Sequence, residues 1–274
     1  MAEHFDFYSN QILVGSVTGV IVALLGLFLV LRRMTFTGLT FAQACACCLT
    51  VATLLEWSQI WLLPMSASVM LPFYSRKSIN RESWLLMGYL FFVALTQILI
   101  SIHANLRQNL VDAYFGNIVT MEAVPLPALA VCGLLFLASY CYSFKAITAT
   151  SLDPEFAKVA GYQVHRTEIY YYLVLATALA FAVKEMGMVH AVGNLILPGA
   201  AAILLARSVP GAAMLAACFS LTATLAGFSA SLWSVDSEVN LPTSSVIVLF
   251  LCAFYLACFV LGNMRDQWKV EMDI

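Results

Sequence analysis

Gln11-Ile-Leu-Val-Gly-Ser-Val-Thr-Gly-Val-Ile-Val-Ala-Leu-Leu-Gly-Leu-Phe-Leu-Val-Leu31, followed at once by Arg32-Arg33, carries no charged side chain. A helix of that length crosses about 30 Å of hydrocarbon. The pattern repeats along the chain. Of 274 residues, 62% are hydrophobic and 10% charged, and the 13 Lys and Arg fall almost entirely in short gaps between apolar runs. A water-soluble core cannot use so much apolar side chain, so the solvent is lipid. Helices are the expected spanning element, because each satisfies its own backbone hydrogen bonds. The runs lack the alternation of an outer-membrane barrel. The fold class is therefore an all-α polytopic membrane protein, read as one transmembrane domain over 1–274. A net charge of −2 implies no nucleic-acid partner. All eight cysteines (Cys45, Cys47, Cys48, Cys132, Cys141, Cys218, Cys252, Cys258) lie inside apolar runs and read as packed thiols. The segment Met1 to Asn10 is acidic and lacks the basic start of a cleaved signal, so the first span is expected to be retained.

Nine spans are read, with eight as the alternative. They are Gln11–Leu31, two sharing Leu39–Tyr74 with a turn near Glu56 or Trp57, Trp84–Ile102, Val124–Phe144, two sharing Ile169–Ala206 with a break near Gly187 to His190, Ala212–Trp233 and Thr243–Leu261. Charge tests the count. With the N-terminus outside, Arg32, Arg33, Arg76, Lys77, Arg81, Lys145, Lys158, Arg166, Arg207, Arg265 and Lys269 all fall in cytoplasmic loops. Arg107 alone falls outside, and Lys184 lies in the sixth span. Dropping a middle span scatters these residues, so the bias favours nine spans and a cytoplasmic C-terminus.

The loop 151–164 between the fifth and sixth spans contains a short helix. Asp153 is a good N-cap, Pro154 suits the first helical position, Glu155 meets the positive helix end, and Gly161 is a ready stop. About two turns are too few to be stable alone. The helix, carrying Phe156, Val159 and Ala160, therefore lies on the protein's own cytoplasmic ends or docks on a soluble partner.

Leu152-Asp-Pro-Glu-Phe-Ala-Lys-Val-Ala-Gly161 resembles the cytoplasmic loop of the metal-ion ABC permease family, the membrane subunits of bacterial zinc, manganese and iron(II) importers. Other segments agree in order: Gly26-Leu-Phe-Leu-Val-Leu-Arg-Arg-Met34, Leu110–Ile118 with Tyr114-Phe-Gly-Asn117, Gly187 through Leu195-Ile-Leu-Pro-Gly-Ala-Ala201, and Leu241-Pro-Thr-Ser-Ser-Val-Ile-Val248. The resemblance implies a multi-pass protein of the bacterial cytoplasmic membrane. Its expected partners are a cytoplasmic ATPase at Asp153, Pro154, Glu155, Phe156, Val159 and Gly161, an extracytoplasmic solute-binding protein, and a second permease, identical or related. No phosphate loop of the form G-x-x-x-x-G-K-[ST] occurs, so no cofactor is expected on this chain, and ATP with Mg belongs to the ATPase. The chain is expected to be non-catalytic, since spans this apolar assemble no nucleophile, base and orienting group.

The resemblance also locates a translocation pathway. Family members carry an Asp and, four residues later, a His, on one helix face. A further Asp precedes the Leu-Pro of the last span. Those positions here are Leu39, Gln43 and Asn240, so the ionisable groups are replaced. Amides alone hold a divalent ion weakly. Cys47 shares the face of Gln43 and offers a soft ligand, or simply packs the spans. His190 and Asn194, also four apart, suit a metal ligand or proton-sensitive gate, or a histidine bonded to backbone. Lys184 and Glu185 are adjacent, point apart on a helix, and are expected not to pair. An acidic outer face of Glu3, Asp6, Glu56, Asp112, Glu122, Asp236 and Glu238 would draw cations or receive a basic partner, or follows by default from positive-inside topology. The competing functions are an ABC permease for a metal chelate or other non-metal solute, and a stand-alone secondary transporter or channel.

Overall fold

The computed structural model describes residues 8–55, 57, 81–102, 126–235 and 241–272. Within them the chain is helical throughout, in the order α1 (Ser9–Leu31), α2 (Thr35–Leu54), α3 (Arg81–Ile102), α4 (Leu126–Leu152), α5 (Pro154–Val159), α6 (Val164–Met186), α7 (Met188–Leu205), α8 (Val209–Val235) and α9 (Thr243–Met272). Eight of these, all but α5, are long and apolar enough to cross a membrane, so the chain is a multi-pass membrane protein. The acidic outer residues, Arg107, Tyr114–Asn117, Asn240 and most of the expected third span lie outside the described residues.

Helix α1 is the axis of the bundle. Residues apolar on every side suit a helix buried on every side, and 72% of its apolar window is buried, against 18% for α4 and 17% for α9. It packs on α2, α4, α6, α7 and α8. Its closest approach is to α7: a Cβ built at Gly26 would stand 1.7 Å from the Leu195 carbonyl oxygen. Only a residue without a side chain allows backbones this near, the usual device for joining helices in lipid. Next to it, Phe28 is ringed by Tyr140, Phe144 and Tyr171 at centroid distances of 6.0, 5.9 and 6.2 Å.

The break between α6 and α7 falls at Gly187, whose φ of 84° is open to glycine and strained for other residues. The carbonyl of Met186 that α6 leaves unpaired accepts from the Ser244 hydroxyl of α9 at 2.7 Å.

Contacts fix relative directions. The Thr40 hydroxyl donates to the Leu85 carbonyl at 3.0 Å, and Cys47 pairs with the Thr96 side chain. Early residues of α2 thus meet early residues of α3, and later meet later, so the two run parallel. The described residues show eight helices long enough to span, and the segment read as a ninth lies largely outside them. Arg32, Lys158 and Arg166 come together at the end that carries α5, tied by the contact of Arg32 with Ser151. The α7–α8 turn with Arg207 joins them there, since Leu27 clusters with Ala202 and Ala212.

Some expected boundaries move. Helix α4 continues past Phe144 to Leu152, and α9 past Leu261 to Met272. Hydropathy marks where apolar residues stop, whereas helical hydrogen bonding runs on through Ala, Thr and Lys. Cys45, Cys47, Cys48 and Cys258 are packed as expected, but Cys141 and Cys218 are exposed. They face outward from the bundle.

Gly26→Ala is expected to destabilise the detergent-solubilised protein by about 1–3 kcal/mol through overpacking. Gly133→Ala, where the added Cβ meets Val17 at an ordinary 3.6 Å, should be neutral or slightly stabilising. Thermal unfolding of the pair checks this. Equal melting temperatures for both variants would contradict the close α1–α7 approach.

Candidate functional site

The short helix forms as its residues dictate. The Asp153 carboxylate accepts from the backbone N–H groups of Glu155 and Phe156 at 2.9 and 3.0 Å, and Pro154 opens the helix. The helix ends one residue earlier than the sequence suggests, with Ala160 as cap and Gly161 at φ 88°. Ala157 is its single buried residue and seats it on the bundle. Phe156 and Val159 point away, 66% and 88% exposed. The helix is therefore held by a small residue and displays its large ones.

A second set of polar residues is buried within the spans. His190 and Asn194 stand one turn apart on α7, and both are fully buried. Asn194 Nδ2 lies 3.3 Å from each ring nitrogen of His190 and 3.3 Å from its carbonyl oxygen. Asn194 Oδ1 accepts from the Ser220 hydroxyl of α8 at 2.6 Å. The Thr224 hydroxyl donates to the Ser220 carbonyl at 2.8 Å. Gly19 of α1 closes the cluster, since a Cβ there would come within 3.0 Å of Ser220 Oγ. Pro198 lies inside α7 and removes the N–H that would bond the Asn194 carbonyl. The backbone is thus locally weakened at the asparagine. His190 is fully buried, with Asn194 Nδ2 against both ring nitrogens, so a ligand could reach it only if the surrounding helices moved.

Leu39, Gln43 and Cys47 line one face of α2, as the spacing requires. Gln43 and Cys47 are buried and Leu39 half-buried. Cys47 turns to Thr96 of α3, whereas Asn194 turns to α1 and α8. These contacts put the two candidate sets on different neighbours. Among the described residues, no three His, Cys, Asp or Glu side chains converge as a metal cage.

One expectation is corrected. Lys184 and Glu185 do pair, Nζ to Oε1 at 2.8 Å. Adjacent Cβ atoms diverge, but the lysine stem is long enough to fold back. The buried carboxylate, 5% exposed at its side chain, has strong reason to find a cation in an apolar setting.

Three participants were not foreseen: Ser220 and Thr224, whose spacing of four was a readable signal, and Gly19, which no local pattern distinguishes from other small residues. Arg32, which the sequence marks as a topological charge and as part of the family-like segment Gly26–Met34, bonds Ser151 and Thr150 and stacks on Tyr171.

Relatives and a solved structure agree with this architecture. The manganese import system permease protein ScaB of Streptococcus parasanguinis is 26% identical over 275 residues, covering 97% of this chain and 95% of that protein. The high-affinity zinc uptake system membrane protein ZnuB of Haemophilus influenzae is 23% identical over 74% of this chain and 80% of its own. A chain of the PsaBC structure from Streptococcus pneumoniae, solved in complex with Fab, superposes with a TM-score of 0.80. It covers 96% of this chain and 94% of that one at 24% identity, and so shares the fold. The ABC 3 transport family matches residues 4–262, and the chain therefore belongs to that family of metal-ion ABC transporter permeases.

Proposed function

We propose that this chain is the membrane-spanning permease subunit of an ATP-driven importer for manganese(II) or zinc(II), the two metals named for its relatives. It sits in a bacterial cytoplasmic membrane with its N-terminus outside. A binding protein delivers the ion to the outer face. A separate ATPase binds at Asp153, Pro154, Glu155, Phe156, Val159 and Gly161. A second permease completes the pathway, and alternating access opens it to each side in turn.

The observation that carries this reading is α5. A two-turn helix that leaves Phe156 and Val159 in the open, at the end of the bundle gathering Arg32, Lys158 and Arg166, is built to meet another protein. An exposed aromatic in a polar rim is the ordinary anchor of such an interface. A stand-alone transporter gives this helix no role.

The cargo face of α2 favours a mixed permease pair. Leu39 and Gln43 bring no charge to the positions where the family resemblance places an acid and an imidazole, and Asn240 brings an amide. A related permease that keeps those groups would supply the missing ligands.

In the reconstituted complex, Phe156→Asp with Val159→Asp should abolish ATP-driven uptake while leaving the permease folded. A cysteine placed at Val159 should react with impermeant thiol reagent only from the cytoplasmic side; labelling from outside would falsify the orientation and the docking role together. Leu39→Asp with Gln43→His should tighten manganese(II) or zinc(II) binding to the purified permease at least tenfold by calorimetry. No change on that double substitution would count against a cargo path along this face.

A further inference from the structure

Arg32 ends α1 at the foot of the docking helix, and its surroundings are unusual for a guanidinium. Nε donates to Ser151 Oγ at 2.8 Å, and one terminal nitrogen donates to Thr150 Oγ1 at 3.3 Å. The guanidinium carbon stands 4.8 Å from the Tyr171 ring centroid and 6.0 Å from that of Tyr172. Among the described residues its partners are thus hydroxyl oxygens and ring faces, with no carboxylate. Both hydroxyls are poised to accept. Ser151 gives its hydrogen to the Ile147 carbonyl at 2.5 Å, and Thr150 gives its own to Ala146 at 2.9 Å. Their lone pairs remain for Arg32.

The position matters more than the bonds. Thr150 and Ser151 lie in the last turn of α4, three and two residues before the Asp153 cap, and the Asp153 N–H itself bonds the Ala149 carbonyl at 3.1 Å. Tyr171 and Tyr172 belong to α6, the helix by which the chain leaves the loop. One side chain thus joins the helix entering the docking loop, the helix leaving it, and α1. The tie continues inward. The buried Tyr171 hydroxyl donates to the Leu25 carbonyl of α1 at 2.8 Å. The next residue, Gly26, is where α1 touches the α7 backbone. A positive charge near helix C-termini needs only a lysine. A planar fork bonded on its edge and stacked on its face needs arginine.

We propose that Arg32 is a positioning residue for energy coupling: it clamps both roots of the docking helix to α1, so that a displacement of α5 is delivered to α1 and α7 as movement of one body. This rests on the reading of α5 as the ATPase contact.

The test uses the complex of this chain with its ATPase, binding protein and second permease, in vesicles, scoring manganese(II) and zinc(II) uptake per ATP hydrolysed. Arg32→Lys should lower that ratio at least fivefold while hydrolysis, assembly and melting temperature stay near wild type. Thr150→Val with Ser151→Ala, which removes the acceptors and leaves the charge, should lower it similarly. Combining all three should add little further, as for partners in one contact. A wild-type ratio in Arg32→Lys, or in the Thr150→Val, Ser151→Ala variant should Arg32→Lys fail to assemble, overturns the clamp and leaves the permease reading standing. Hydrolysis without any uptake by the wild-type complex overturns both.

Discussion

The backbone contact between α1 and α7 at Gly26 and Leu195 is the constraint on which the bundle depends. Lipid offers no hydrophobic drive to bring helices together, because its tails are as apolar as leucine. Association must come from close packing, and packing is closest where a side chain is absent. With α1 seated against α7, the aromatic cluster around Phe28 fills the space toward α4 and α6. The break at Gly187 then lets α6 and α7, consecutive in sequence, both pack on α1.

The same solvent governs how several buried polar groups are placed. A buried hydroxyl, amide or charge in hydrocarbon must find its partner within the protein. Asn194 therefore reaches Ser220, Ser244 reaches the Met186 carbonyl, and Lys184 folds back on Glu185. Each bond in a membrane is worth only about 0.6–2 kcal/mol. Its effect on geometry is greater, since it sets which helix faces meet. The His190–Asn194 cluster combines such bonds with a proline-interrupted backbone, so a fully buried polar site lies where α7 lacks one of its own hydrogen bonds.

At the end carrying α5, the balance is reversed. There the protein leaves large apolar side chains unpacked and holds them in place with a capped helix. Stability of a six-residue helix cannot come from its own hydrogen bonds. It comes from Ala157 beneath it and from the α4 and α6 roots on either side.

The sequence by itself determined the solvent, the helical secondary structure and the short capped helix α5. Apolar runs between basic gaps leave helices as the sole spanning element they can form, and the Asp153-Pro154 cap and Gly161 stop act over neighbouring residues, where chemistry reads directly. It also marked Gly187 as a break and paired His190 with Asn194 by their spacing. Only the tertiary structure decided which helices meet. That Gly26 rather than another glycine marks the crossing, that Asn194 finds Ser220, and that Arg32 bridges α4 and α6 depend on residues far apart in the chain. Near-uniform hydrophobicity hides these choices, because in lipid an apolar face toward a neighbour and an apolar face toward solvent are written with the same residues.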